Sequence, residues 1–138
     1  MDFEPYLFFD GTCEEALNFY KGIFGGETEI SRWKEMPADA DGPSVTPETE
    51  NRVMHASLRG GDVNLMASDA TPGKKYGEGP ISLSVGLTDM AKAERIFNAL
   101  AAGANVEMPM QDMFWGSRFG MLTDKYGIDW MVSCELKK

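Results

Sequence analysis

Pro5-Tyr6-Leu7-Phe8-Phe9-Asp10-Gly11-Thr12-Cys13-Glu14-Glu15-Ala16 is answered 75 residues later by Pro80-Ile81-Ser82-Leu83-Ser84-Val85-Gly86-Leu87-Thr88-Asp89. In both stretches a short apolar run meets a glycine and then a side chain of the kind that caps a helix. After the first, Ala16, Phe19, Tyr20 and Ile23 recur at helical spacing until Gly25-Gly26 stops the pattern. After the second, Ala93, Ile96, Phe97 and Leu100 do the same before Gly103. Thr12 with Glu15 three residues on has the form of a capping box, and Glu14 and Glu15 suit the positive end of a helix. A unit of strand, glycine, cap and helix that occurs twice predicts two copies of one module.

Working outward, the other strands complete each copy. Thr28 to Trp33, Val53 to Leu58 and Val63 to Ala67 read as strands in the first half, the last two joined by the hairpin signal Arg59-Gly60-Gly61-Asp62. Val106 to Met108, Met113 to Thr123 and Asp129 to Cys134 are their counterparts, with Asp124-Lys125-Tyr126-Gly127 as a turn. The expected fold is α+β: two βαβββ modules, about 1–70 and 80–138, forming a curved eight-stranded mixed sheet around a cavity. A ferredoxin-like dimer is the alternative from pattern alone, and the repeat disfavours it. Between the strands, Met36 to Asn51 is rich in Pro, Asp, Glu, Gly and Thr and reads as a long excursion, and Asp69 to Gly79 as the connection between modules.

Composition bounds the partners. The formal charge is −9, and no Lys/Arg cluster relieves it, so neither nucleic acid nor an anionic membrane surface is expected. The N-terminus is acidic, unlike a signal peptide, and no apolar run approaches the roughly 20 residues that span a bilayer. Two cysteines, Cys13 and Cys134, make no disulfide framework, which points to a reducing, cytoplasmic setting.

Three segments resemble the PhnB-like branch of the vicinal oxygen chelate (glyoxalase/bleomycin-resistance/dioxygenase) superfamily. They are Pro5–Gly11 running into Glu14–Tyr20, then His55-Ala56-Ser57-Leu58, then Trp115-Gly116 through Asp124 to Gly127 and Trp130. Members of this branch are often labelled 3-demethylubiquinone-9 3-methyltransferase. A Rossmann-type methyl-donor site would need a glycine-rich strand-to-helix turn, whereas the paired glycines here, Gly25-Gly26 and Gly60-Gly61, fall at a helix end and in a hairpin.

The resemblance implies a cavity in which characterised enzymes of the superfamily hold a divalent metal through His, Glu or Gln on four strands. Those positions fall here at Pro5, Met66, Pro80 and Met131. Proline has no side-chain donor, and a thioether is too soft for Mg²⁺, Mn²⁺ or Fe²⁺. No metal and no cofactor are therefore expected. A slip of register would bring Asp10, Asn64, Ser68, Ser82, Asp129 or Ser133 instead.

His55 is the one histidine, and alternation along its strand puts His55, Ser57 and Arg59 on the face opposite Met54, Ala56 and Leu58. It is either a cavity-facing binding or catalytic group or a hydrogen-bonded structural one. Cys13, in the first turn of a helix whose dipole lowers a thiol pKa, is the other candidate nucleophile, against the plain reading of a small buried thiol. His55, Ser57, Met66, Ser82, Trp115, Arg118 and Met131 are the expected ligand contacts, with Trp115 stacking and Arg118 supplying charge. Ten methionines suit an adaptable apolar pocket as well as ordinary core filling. The expected function is metal-free binding of a small, partly apolar molecule by a homodimer. The alternatives are a metal-dependent lyase, transferase or dioxygenase with displaced ligands, or a metal-independent enzyme using His55.

Overall fold

The computed structural model describes residues 1, 3–36, 45–70 and 81–136. The chain divides into two compact units, Met1–Gly77 and Glu78–Lys138. The first holds β1 (Tyr6–Phe9), α1 (Cys13–Phe24), β2 (Glu27–Arg32), β3 (Val53–Gly60) and β4 (Val63–Asp69). The second repeats the order with β5 (Leu83–Leu87), α2 (Met90–Leu100), β6 (Asn105–Asp112), β7 (Ser117–Thr123) and β8 (Asp129–Glu135). Both modules are βαβββ, as expected of an α+β chain. The strands group as two open four-stranded sheets, β1-β4-β3-β2 and β5-β8-β7-β6. In each sheet the first strand of the module lies parallel to the last, and the other pairings are antiparallel.

Each helix covers one face of its own sheet. Ala16, Leu17 and Tyr20 of α1 are buried with Leu7, Phe9, Ala56, Leu58, Leu65 and Ala67, the alternate residues of β1, β3 and β4. Ala93, Ile96, Phe97 and Leu100 of α2 are buried with Leu122, Trp130, Val132 and Cys134. Burying each large side chain stabilises by about 1.5–3 kcal/mol before entropy is counted. Trp130 faces α2, and its indole N–H donates to Asp124 at 2.8 Å. Asp124 also accepts from the Tyr126 and Ile128 amides, which fixes the β7–β8 turn.

The repeat is offset differently from the glycine-on-glycine alignment. Tyr6 stands beside Met66 and Ser84 beside Met131, so Tyr6 corresponds to Ser84, 78 residues on. Gly86 does not break its strand. It lies inside β5 opposite Ser133, whereas Gly11 leaves β1 through a positive φ of 82°. A glycine whose neighbours keep their ladder bonds stays extended.

The capping box is also replaced. Thr12 makes no side-chain cap bond; instead a buried carboxylate from β4 serves the helix start, Asp69 Oδ1 accepting from the Cys13 amide at 2.9 Å. Asp89 does cap α2, accepting from the Lys92 amide.

Two segment ends move. Trp33 opens a short 3₁₀ turn, Trp33–Glu35, instead of closing β2. Met113 to Gly116 form a turn, so the expected strand from Met113 begins only at Ser117. Gly26 and Gly60 pass so closely that a Cβ on either would lie 3.0 Å from the other strand's backbone, and both have positive φ. Part of the Met36–Asn51 excursion, residues 37–44, and the bulk of the connection, residues 71–80 including Pro80, lie outside the described residues. The excursion's return is pinned: the Trp33 and Lys34 amides donate to the Arg52 and Glu50 carbonyls.

Candidate functional site

The helix-free face of the first sheet carries Tyr6 and Phe8 from β1, His55 and Ser57 from β3, and Met66 from β4. Register places Tyr6 beside Met66 and Met66 beside Ser57. The Tyr6 hydroxyl lies 3.2 Å from His55 Nδ1, and the two rings are 5.7 Å apart. Phe8 stacks on Tyr6 at 4.9 Å. A short, continuous apolar run such as Tyr6-Leu7-Phe8-Phe9 has the composition of a strand buried on both faces. Instead Tyr6 is 37% and Phe8 42% exposed, which leaves an aromatic surface with a polar tip. Sequence reasoning identified His55 and its face but missed Tyr6 and Phe8. Their i, i+2 spacing opposite the buried Leu7 and Phe9 was the available signal.

The corresponding face of the second sheet is lined by thioethers. Ser84, Met131, Met121 and Met108 follow one another across β5, β8, β7 and β6, with Phe119 opposite Ser133 one pair further along. Ser82 lies just before β5 on the same alternation as Ser84. Trp115 sits in the β6–β7 turn rather than in a strand. It is 51% exposed and meets Phe119 edge-on at 5.7 Å, with Phe114 beside it. Arg118 is on the other face. Its Nε donates to Glu94 of α2 and its guanidinium to Asp112 at 3.0 Å, so its charge is already matched. Those partners raise the arginine pKa further, Glu94 foremost.

Cys13 is fully buried, and its thiol is pushed up to about 12, first by burial and then by the charges of Asp69 and Glu14. The expected acidification by the helix end is outweighed chiefly by burial, with the carboxylate that caps α1 adding a negative neighbour. A polar cavity of about 340 Å³ opens beside this helix end, lined by Gly11, Glu14, Arg32, Asn51, Arg52 and Asp69 among others. Its cations are internally paired, Arg32 with Glu14 at 2.8 Å and Arg52 with Asp10 at 3.0 Å.

The register also revises the positions at which the resemblance would place a metal. Within the sheets, Tyr6 rather than Pro5 stands beside Met66, and Ser84 stands beside Met131. Neither the phenol and thioether of the first sheet nor the hydroxyl and thioether of the second suit a hard divalent cation. Among the described residues no three His, Cys, Asp or Glu side chains gather into a group that would hold one. No described helix is long and apolar enough to cross a membrane.

Comparison with known proteins follows the same lines. The family model described as 3-demethylubiquinone-9 3-methyltransferase matches residues 1–133. A Pseudomonas aeruginosa protein of known crystal structure is 40% identical, with a TM-score of 0.84 over 99% of both chains. A Bacillus cereus protein described as PhnB is 27% identical, with a TM-score of 0.75 over 97% of this chain and 99% of that one. A glyoxalase/bleomycin resistance protein/dioxygenase from Nocardioides, 19% identical, shares the fold with a TM-score of 0.54 over 99% of this chain and 85% of that one.

Proposed function

Since the chain belongs to the 3-demethylubiquinone-9 3-methyltransferase family and has the PhnB-like, glyoxalase-type fold, we propose that it binds a small, partly apolar molecule against Tyr6, Phe8 and His55. The observation that carries this reading is the Tyr6–His55 hydrogen bond at 3.2 Å within an exposed aromatic cluster. Solvent-facing rings on a face without a helix offer a flat apolar platform, and the paired hydroxyl and imidazole offer orientation. Ser57 and Met66 flank that platform in the first module. On the second module, taken by itself, Ser82, Met131 and Trp115 are the proposed contacts, and Arg118, matched by Glu94 and Asp112, is a weaker candidate. The family's description names a methyl transfer. Rossmann-type donor sites sit at a switch point of a parallel sheet, and among the described residues each sheet has only one parallel pair. Binding is therefore the favoured reading.

Ligand-detected NMR with a panel of flat aromatic fragments tests it. Hits should weaken about tenfold, near 1.4 kcal/mol, in Tyr6→Ala and Phe8→Ala. Hits that ignore both substitutions would discard this face as the site.

One observation favours a second reading, metal-independent acid–base chemistry. The Tyr6 hydroxyl lies 3.2 Å from His55 Nδ1; in the tautomer whose Nδ1–H donates to that oxygen, Nε2 keeps a lone pair, the arrangement that a general base requires. In that case any turnover found by substrate screening would disappear in His55→Gln. A metal-dependent lyase, transferase or dioxygenase would instead show one tightly held divalent ion and lose activity to a chelator. Two free, buried thiols suit the reducing cytoplasm in which we place the protein. We further propose a two-fold homodimer.

A further inference from the structure

We propose that Met108, Met121 and Met131 form a thioether site for a soft monovalent cation, copper(I) or its redox-inert analogue silver(I). Met131 pairs with Met121, and Met121 with Met108, on three adjacent strands. Adjacent strands lie about 4.8 Å apart, so three long, unbranched side chains in one row can bring their sulfurs to a common point above Met121. The row sits at a break in regularity: β6 is the sheet's edge strand and is bulged on both sides of Met108. Bulges re-aim side chains and are over-represented at edges and next to sites. A Cβ on Gly120 would come within 2.9 Å of Met110 Sδ and 2.7 Å of Phe97, so Met110 sides with α2. Met108, three residues before Gln111, keeps its pairing with Met121.

All three methionines are half-buried, neither sealed into the core nor free in solvent. On that face Ser84 continues the row, Ser133 and Phe119 flank it on one side, and on the other the Thr123 hydroxyl meets the carboxylates of Asp129 and Glu107, so the thioethers are the donors within the row itself. Uncharged thioether donors are poor ligands for Mg²⁺ and Zn²⁺ but suit Cu(I), which prefers soft ligands. The chain's charge of −9 favours a cation in its vicinity. The thioether row is argued from the second module's sheet alone; of its three residues only Met131 is also among the contacts proposed for the small molecule, and Met108 and Met121 are not.

The test is anaerobic titration of the whole chain with Cu(I), using bicinchoninate as the coloured competitor. One equivalent should be withheld from the competitor, and both Met121→Leu and Met131→Leu should weaken binding tenfold or more with far-UV circular dichroism unchanged. Leucine keeps the volume and removes the sulfur. Selenomethionine-labelled protein should in addition show a copper–selenium distance at the selenium absorption edge, which binding by Cys13 or Cys134 cannot produce. No competition with bicinchoninate, full binding by both leucine variants, or the lack of any copper–selenium distance would each overturn the proposal.

Discussion

Both carboxylate oxygens of Asp69 are occupied by backbone donors, Oδ1 by the Cys13 amide and Oδ2 by the Val53 amide, each at 2.9 Å. One side chain thus caps α1 and ties the start of β3 to the end of β4. Asp69→Asn keeps the shape but turns one acceptor into a donor facing an N–H. It should cost about 1–3 kcal/mol in urea unfolding, with the slope unchanged. The neighbouring thiol sets a pH dependence. Cys13 is held protonated in the fold up to about 12, above its value in the unfolded chain near 9, so the native state retains a proton that the unfolded state releases. This contribution is intact below about pH 9 and is lost between pH 9 and 12, at about 1.4 kcal/mol per pH unit. In Cys13→Ala that slope should flatten, and iodoacetamide at pH 8 should leave Cys13 unlabelled in the native chain. Rapid native labelling would contradict the burial of the thiol. His55 and the face it shares with Ser57 were legible from alternation alone. Asp69 was not, because it lies 56 residues from the helix end that it caps, and a local box at Thr12 and Glu15 looked sufficient.

At the scale of elements, two glycines make opposite predictions. Gly120 on β7 lies under α2, where a Cβ would stand 2.7 Å from Phe97, so Gly120→Ala should destabilise by about 1–3 kcal/mol through overpacking. Gly22 sits inside α1 with nothing within 4 Å of its would-be Cβ, and Gly22→Ala should stabilise by about 0.5–1 kcal/mol. Urea midpoints of the two variants should therefore move apart, and a shared direction would mean that one environment is misread. Both helices and both closing hairpins were visible beforehand, since helical periodicity, Gly60-Gly61 and Asp124–Gly127 are local signals. The misread elements depended on non-local pairing. Gly86 stays extended because β8 holds its neighbours, and Phe114 and Trp115 had the composition of a strand but form the turn between β6 and β7. The ion pair of Arg118 with Glu94 on α2, 24 residues away in sequence, was not visible beforehand either. Tyr6 as partner of His55 was hidden for the same reason, at a separation of 49.

For the whole molecule, the proposed homodimer has a direct readout. Light scattering over a dilution series should give twice the monomer mass down to micromolar concentration, and a persistent monomer would reject it. Each sheet leaves two edge strands, β1 and β2 or β5 and β6, and an unpaired edge is a liability that an assembly covers. Elemental analysis of the same samples should find no stoichiometric Mg²⁺, Mn²⁺, Fe²⁺, Ni²⁺ or Zn²⁺, since the cross-strand positions hold Tyr6, Met66, Ser84 and Met131. The order of the strands also bears on synthesis. β1 has one neighbour in its sheet, β4, and α1 receives its cap from the last residue of that strand. A ribosome therefore releases Tyr6 to Phe9 and the start of α1 long before Val63 to Asp69 emerge to satisfy them. Through that interval the nascent chain displays an apolar segment with no native partner, the kind of surface that chaperones attend. The first module then matures in one late step, when Asp69 clears the exit tunnel, and the second module repeats the wait until β8 is made.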